Sequence, residues 1–252
     1  EVVPAWQSHD LLPGQTLAVG ALRSGVWGYL AISGGIATPE VLGSRATHLR
    51  TGLGGLEGRP LRAGDALALG AAEDAPCLRL PWPFARGEGP IRVIPGPQDD
   101  YFDDAAWRTL TGSEFTVSPT RDRMAQAFEG PKIAAARGHD IVSDGTPLGS
   151  LQVPGSGRPM VLMAERQTTG GYPKIGTVAS VDLPRLGQIP TGRPVRFARI
   201  SREEAEDLLI AERRALRALL DGLAPKAGRV LSPVFLLEAN LIDGVDAAAE
   251  CE

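Results

Sequence analysis

Glu165-Arg166-Gln167-Thr168-Thr169-Gly170-Gly171-Tyr172-Pro173-Lys174 is the densest polar block in the chain. It lies between two apolar runs and is longer than the two to five residues a hairpin turn needs. The block offers a carboxylate, an amide, hydroxyls, a phenol and cations, and Gly170-Gly171 lets backbone N–H groups approach a ligand, as in anion-binding nests. By residue type alone it suits either a binding loop or an ordinary surface loop built from Thr and Gly turn chemistry. A second cluster is Ser118-Pro119-Thr120-Arg121-Asp122-Arg123-Met124. Two Arg around an Asp suit bidentate recognition of carboxylate or phosphate, or equally a solvated ion-pair patch. Ser44-Arg45-Ala46-Thr47, with Arg50 and Arg59 in a Gly-rich context, carries the same alternatives. Two basic loops and one amide-hydroxyl loop would frame a pocket for a small anionic or amide-bearing substrate. Residue chemistry does not fix the reaction.

Other chemistries lack support. His9, His48 and His139 are not at metal-ligand spacing with one another or with Cys, so no metal site is expected. No G-x-S-x-G elbow, Walker A loop or dinucleotide fingerprint occurs. Cys77, in a strand-like context, reads as a small buried hydrophobe. The net charge of -4, from 26 basic and 30 acidic residues, gives no general pull toward nucleic acid or an anionic membrane. No apolar run approaches the roughly 18 residues of a membrane helix. Cys77 and Cys251 suggest no disulfide framework, so a cytoplasmic setting is expected.

The elements that must position these clusters are mostly strands. Gly (31) and Pro (21) are dispersed along 252 residues among apolar runs, with 43% of residues hydrophobic. Dispersed turn-formers punctuate many short strands, which predicts a mainly β chain built as a barrel or sandwich. Strands are expected at residues 16–19, 26–32, 67–69, 78–80, 91–94, 115–117, 141–143, 151–153, 160–163, 175–181, 195–197 and 234–237. A helix capped by Asp99 or Asp100 should bury Phe102, Ala106 and Leu110. Asp182-Leu183-Pro184 reads as a capped helical turn. Ser201-Arg202-Glu203-Glu204 is a capping box opening a helix with an apolar stripe that ends at Gly222. The organisation expected is a first subdomain over residues 1–85, a second over 86–222 that includes the last helix, and a tail over 223–252.

These blocks resemble the carboxyltransferase subdomain A/B family, which includes allophanate hydrolase subunit 2, the C component of 5-oxoprolinase and the carboxyltransferase region of urea carboxylase. The matching stretches are Gln167 to Gly176, Gly149 to Pro154, Gly43-Ser44-Arg45, Gly96 to Asp99, Ser118 to Met124, Ser143-Asp144-Gly145 and Asp182 to Leu186. The likeness runs from about Gly14 to Leu220. It implies cyclophilin-like β-barrel subdomains with a few helices. It also implies pairing with a protein like allophanate hydrolase subunit 1 or the B component of 5-oxoprolinase. In the 5-oxoprolinase reading the assembly uses ATP to open the lactam of 5-oxoproline. In the urea carboxylase reading the region accepts a carboxyl group from biotin, which another chain would have to carry. Some relatives instead antagonise a protein inhibitor of a sporulation kinase.

The resemblance also implies roles. An amide-like centre needs donors where charge develops on its oxygen, and Thr168, Thr169, Tyr172 and the Gly170 and Gly171 amides are the candidates, with Gln167 orienting the amide. Arg45, Arg121, Arg123, Gln152 and Lys174 would bind substrate. Asp144 and Glu165 stand where the family pattern suggests Glu and Asp, so neither is given an acid or base role. The chain opens at Glu1 in what reads as mid-domain sequence, so an upstream part is expected. The spatial expectation is that Arg45, Arg123 and Gln167 to Tyr172 meet around one cavity at a barrel mouth.

Overall fold

The structure, a computed structural model, describes residues 2–72 and 76–226. The strand expected at 234–237 lies outside them. Two compact units emerge: one takes the chain up to Leu17, Leu30–Pro83 and the chain from Asp221 on, and the other takes Ala18–Tyr29 and Phe84–Leu220.

In chain order the strands are β1 (Leu78–Arg79), β2 (Ile91–Pro95), β3 (Phe115–Arg121), β4 (Ala125–Glu129), β5 (Asp144–Gly145), β6 (Ser150–Gln152), β7 (Met160–Leu162), β8 (Thr169–Gly170), β9 (Lys174–Val178), β10 (Pro194–Val195), β11 (Phe197–Arg199) and β12 (Ala224–Pro225). The helices are α1 (Asp104–Gly112), α2 (Leu183–Gly187) and α3 (Arg202–Asp221). The chain is therefore mainly β, with a helix near its C-terminus.

Eight strands of the second unit form one sheet in the order β10-β3-β4-β7-β6-β9-β2-β11. Its two edge strands, β10 and β11, are separated in sequence by Arg196 alone. β10 pairs antiparallel with β3 and β11 pairs parallel with β2, so one bent segment borders both ends of the sheet. The sheet is thus nearly closed like a barrel, which removes most of the exposed edge. Alternation explains which residues face the core: Ile91 and Val93 of β2 are buried while Arg92 between them is not. Phe197 meets the rings of Phe115 and Phe128 edge-on at centroid distances of 5.7 and 5.3 Å, a geometry worth about 0.5–1.5 kcal/mol per pair beyond area burial.

Of the helices, α1 packs against this sheet through its buried face. α1 is capped by Asp103, whose side chain accepts from the Ala106 amide at 2.8 Å. This corrects the expected cap: Asp99 and Asp100 belong to a preceding 3-10 turn. The expected Phe102, Ala106 and Leu110 are buried, joined by Trp107, over which Arg199 stacks at 4.5 Å. α2 starts after Asp182 with Pro184 in its first turn, but Asp182 caps nothing. Its carboxylate instead takes a bidentate grip from Arg92 at 2.8 and 2.7 Å and the Arg92 amide at 2.8 Å. Burial alone pushes the Asp182 carboxyl up, but Arg92 and Arg185 more than offset that and hold it below its ordinary range. The capping box on α3 forms as read, with Glu204 N–H donating to Ser201 Oγ at 3.1 Å and Ser201 N–H to Glu204 Oε2 at 2.7 Å.

The first unit differs. Among its described residues no strand exceeds two residues: β1 pairs with β12, and the rest is isolated bridges such as Ile36 to Leu69. Turn geometry dominates instead. Gly54 sits at φ +70°, where a Cβ would lie 2.3 Å from the Ala46 carbonyl oxygen. Arg59 grips Asp65 through two bonds of 2.8 and 2.9 Å. Strands expected at 16–19, 26–32 and 67–69, the first two lying partly in the second unit, do not form. For 26–32 the reason is visible: the Val26 and Trp27 amides donate to the Gln188 side chain at 2.7 and 2.9 Å rather than to a neighbouring strand. The strand expected at 141–143 is displaced to β5.

Candidate functional site

The polar block spans β8 and the start of β9. Three contacts from Thr146 shape it: its hydroxyl donates to the Gln167 carbonyl, its amide donates to the Thr168 carbonyl at 3.0 Å, and its own carbonyl accepts from Arg166 Nε at 2.7 Å. β8 pairs with β5, setting Gly170 opposite Asp144 and Thr169 opposite Gly145. Gln167, Thr168, Thr169 and Tyr172 are exposed, so their side chains are available for a ligand. Gly171 is tied through its carbonyl to the Ile141 amide at 2.8 Å.

Beneath the block lies a polar layer. Gln152 and Lys174 occupy paired positions on β6 and β9. The register changes there: Leu151 faces Gly176 while Gln152 faces Lys174, so Ile175 is the extra residue of a bulge. A bulge re-aims the neighbouring side chain. Lys174 is 0% exposed, and its Nζ donates to Asp144 Oδ2 at 2.9 Å. Gln98 completes the set, its Nε2 donating to Asp144 Oδ2 at 3.0 Å and its Oε1 accepting from the Lys174 amide at 3.3 Å. The Gly145 amide donates to Asp144 Oδ1 at 2.7 Å. Led by Lys174, then Gln98 and the Gly145 amide, these donors hold the Asp144 carboxyl at about 2. Gln152 is fully buried, with Nε2 3.5 Å from the Tyr172 carbonyl and Oε1 without a partner among the described residues. A Cβ at Gly170 would lie 2.8 Å from Gln152 Nε2, so a side chain there would force that buried amide to shift.

The structure thus brings Gln152, Gln167 to Tyr172 and Lys174 together. The expected arginines each have partners of their own. The Arg121 guanidinium donates to the carbonyls of Gly187 and Ile189 at the end of α2. Arg123 pairs with Glu165 at 3.0 Å, and the two are also joined by the Glu165 amide donating to the Arg123 carbonyl at 2.8 Å. Arg45 belongs to the first unit, where it donates to the Thr38 carbonyl and stands 4.0 Å from Glu40. Asp144, Gln98 and Thr146 were absent from the residues expected to bind or react. One sequence cue pointed to a carboxylate partner without naming it: Lys174 runs straight into the strand Ile175 to Val178, and a fully buried lysine is almost always paired. No group of three or more metal-ligating side chains occurs among the described residues, and none of their helices is long and apolar enough to cross a membrane.

The family model for the carboxyltransferase domain, subdomain A and B, matches residues 1–199. The chain belongs to this family. It is 38% identical over 197 residues to the C component of 5-oxoprolinase from Escherichia coli K12, covering 76% of this chain and 62% of the relative. It is 36% identical over 209 residues to the protein of the same name from Haemophilus influenzae, covering 81% and 66%. The chain therefore spans somewhat under two-thirds of these relatives. It is also 30% identical over 238 residues to urea amidolyase of Lachancea kluyveri, covering 83% of this chain and 13% of the relative. The crystal structure of Kluyveromyces lactis urea amidolyase shares the fold at TM-score 0.70 and 24% identity, over 84% of this chain and 15% of that one.

Proposed function

We propose that this family member serves a 5-oxoprolinase-type complex, an ATP-dependent hydrolase that opens 5-oxoproline to glutamate. Its partner in this reading is a protein like allophanate hydrolase subunit 1 or the B component of 5-oxoprolinase. The observation carrying the reading is the higher identity to the C component of 5-oxoprolinase, 38% and 36%, than to urea amidolyase, 30%. The site is consistent with it. Exposed Gln167, Thr168, Thr169 and Tyr172 offer donors and acceptors to a small amide, and the Gly170-Gly171 backbone lies among them. In this reading these groups hold the lactam oxygen as charge develops on it. ATP enters only through the assembled complex. The buried Lys174 and the half-buried Arg121 are spent on Asp144 and on main-chain carbonyls, so these two form no cradle for a triphosphate. The setting proposed is cytoplasmic.

A second reading, carboxyl transfer to urea from biotin carried by another chain, draws on the urea amidolyase match, which covers more of this chain, 83% against 76%. Co-purification of the chain with its subunit-1-like partner, followed by ATP turnover with 5-oxoproline or urea, separates the two. Turnover stimulated by 5-oxoproline is expected. Stimulation by urea alone would replace the first reading with the second.

A further inference from the structure

Lys174 was expected to meet an anionic substrate, but its side chain is wholly buried and bonded to Asp144. The group that reaches solvent is the carboxylate: the Asp144 side chain is 48% exposed. Whatever the pair presents to a ligand is therefore an acceptor. An ionised carboxylate has about four acceptor positions. Among the described residues Oδ2 takes Lys174 and Gln98, and Oδ1 takes only the Gly145 amide, so Oδ1 retains room for a donor. A second acceptor points the same way. Gln152 pairs in register with Lys174, is fully buried, and has an Oε1 that no described group bonds. Gly170, opposite Asp144 on β8, keeps the space beside the Gln152 amide free of a side chain. Asp144 is the acceptor open to solvent, and a ligand N–H can take the place of water on it; Gln152 adds a second acceptor in the layer beneath.

We propose that Asp144 accepts an N–H hydrogen bond from a small amide substrate, with Lys174 and Gln98 as positioning residues for its carboxylate. For the choice of 5-oxoproline as the natural ligand, the assignment rests on the 5-oxoprolinase reading above. It makes Asp144 the feature that distinguishes a lactam from the matching lactone, which has the same shape but an oxygen in place of the ring N–H. A site built around an acceptor rejects an analogue that leaves the acceptor unpaired.

The experiment uses the full chain bound to its partner and measures the Kd of 5-oxoproline, of its lactone analogue and of urea by calorimetry. The lactone is expected to bind at least about tenfold more weakly than the lactam. D144A alone strands a buried ammonium, so the double variant D144A/K174M, checked for folding by its circular dichroism melt, carries the test. It should lose the lactam preference. K174M alone should weaken the preference at pH 8 and lose what remains on acidification at a higher pH than wild type. Lys174 is the charged group acting on Asp144, while Gln98 and Gly145 face it as neutral donors, so a purely structural lysine would not move this profile. Wild type binding lactam and lactone equally, or a folded double variant keeping the preference, would overturn the role of Asp144 and leave the 5-oxoproline reading intact. Binding of urea but not 5-oxoproline, lost in the double variant, would keep Asp144 and discard 5-oxoproline. Binding of neither would end both.

Discussion

The two units carry similar apolar residues and put them to different use. Every residue of the buried hydrophobic cluster lies between Ile91 and Phe197, whereas Leu11, Leu42, Leu49, Leu53, Leu61 and Leu69 of the first unit are exposed. The second unit has an eight-stranded sheet; the first, among its described residues, has the short β1–β12 pair, isolated bridges and turns. A strand-like sequence becomes a strand only when a neighbour takes up its hydrogen bonds, because pairing stabilises the sheet more than intrinsic preference does. Ile91 to Pro95 finds β9 on one side and β11 on the other. Val26 and Trp27, grouped with the second unit but outside its sheet, find only a glutamine side chain.

The contrast predicts where stability resides. Phe197→Ala removes a ring 2% exposed that touches two other rings, and should cost about 3–5 kcal/mol. Leu42→Ala, at 94% exposure, should stay within about 0.5 kcal/mol. Urea unfolding followed by tryptophan fluorescence checks both. A loss at Leu42 comparable to that at Phe197 would break the assignment of the core to the second unit.

A smaller effect tests the ion pairs. Asp182 is buried under Arg92 and Arg185, at 2.7 and 3.3 Å, and Asp182→Asn keeps the shape but removes the charge. Hydrogen bonds to charged groups contribute about 1.5–3 kcal/mol each, and Arg92 is partly solvated, so a net loss of about 2 kcal/mol is expected in the same unfolding assay. The matching change Asp65→Asn in the first unit acts on a better hydrated carboxylate, 16% exposed against 3% for Asp182, and should cost less. Equal losses would mean the two units screen their charges alike.

The sequence revealed these features unevenly. Strands with strict alternation, such as Ile91 to Ile94 and Phe115 to Val117, were legible because period-two burial leaves a direct trace. So was the α3 capping box, a local device. The Asp103 cap was obscured by two earlier aspartates that compete for the same role by composition. Nor could spacing reveal that Arg121 clasps the end of α2 at Gly187 and Ile189, since such a contact depends on how the sheet curls. The Gln167 to Lys174 block stood out by polarity. Its partners Asp144 and Gln98 lie 30 and 76 residues from Lys174 and meet it only through β5, β8 and the turn after β2.

The smallest expected effect sharpens the comparison most closely, because each unit holds one carboxyl at about 2. Asp65 is held by Arg59, then by the Arg62 amide; Asp144 by Lys174, then by Gln98 and the Gly145 amide. Both lie below the ordinary aspartate value of about 3.9. A carboxyl depressed in the fold stabilises it above the unfolded value, and that contribution is lost as pH falls from about 4 toward 2. Carbon-13 titration of the aspartate side chains should show both resonances moving only near pH 2. Arg59→Met should lift Asp65 toward the ordinary value, and Lys174→Met should lift Asp144, each without moving the other. Lys174→Met should still fold at neutral pH, since an apolar side chain suits the buried position and Asp144 can be hydrated on its exposed side. Failure of that variant to fold would mean that the lysine, rather than the rings around Phe197, organises this part of the barrel.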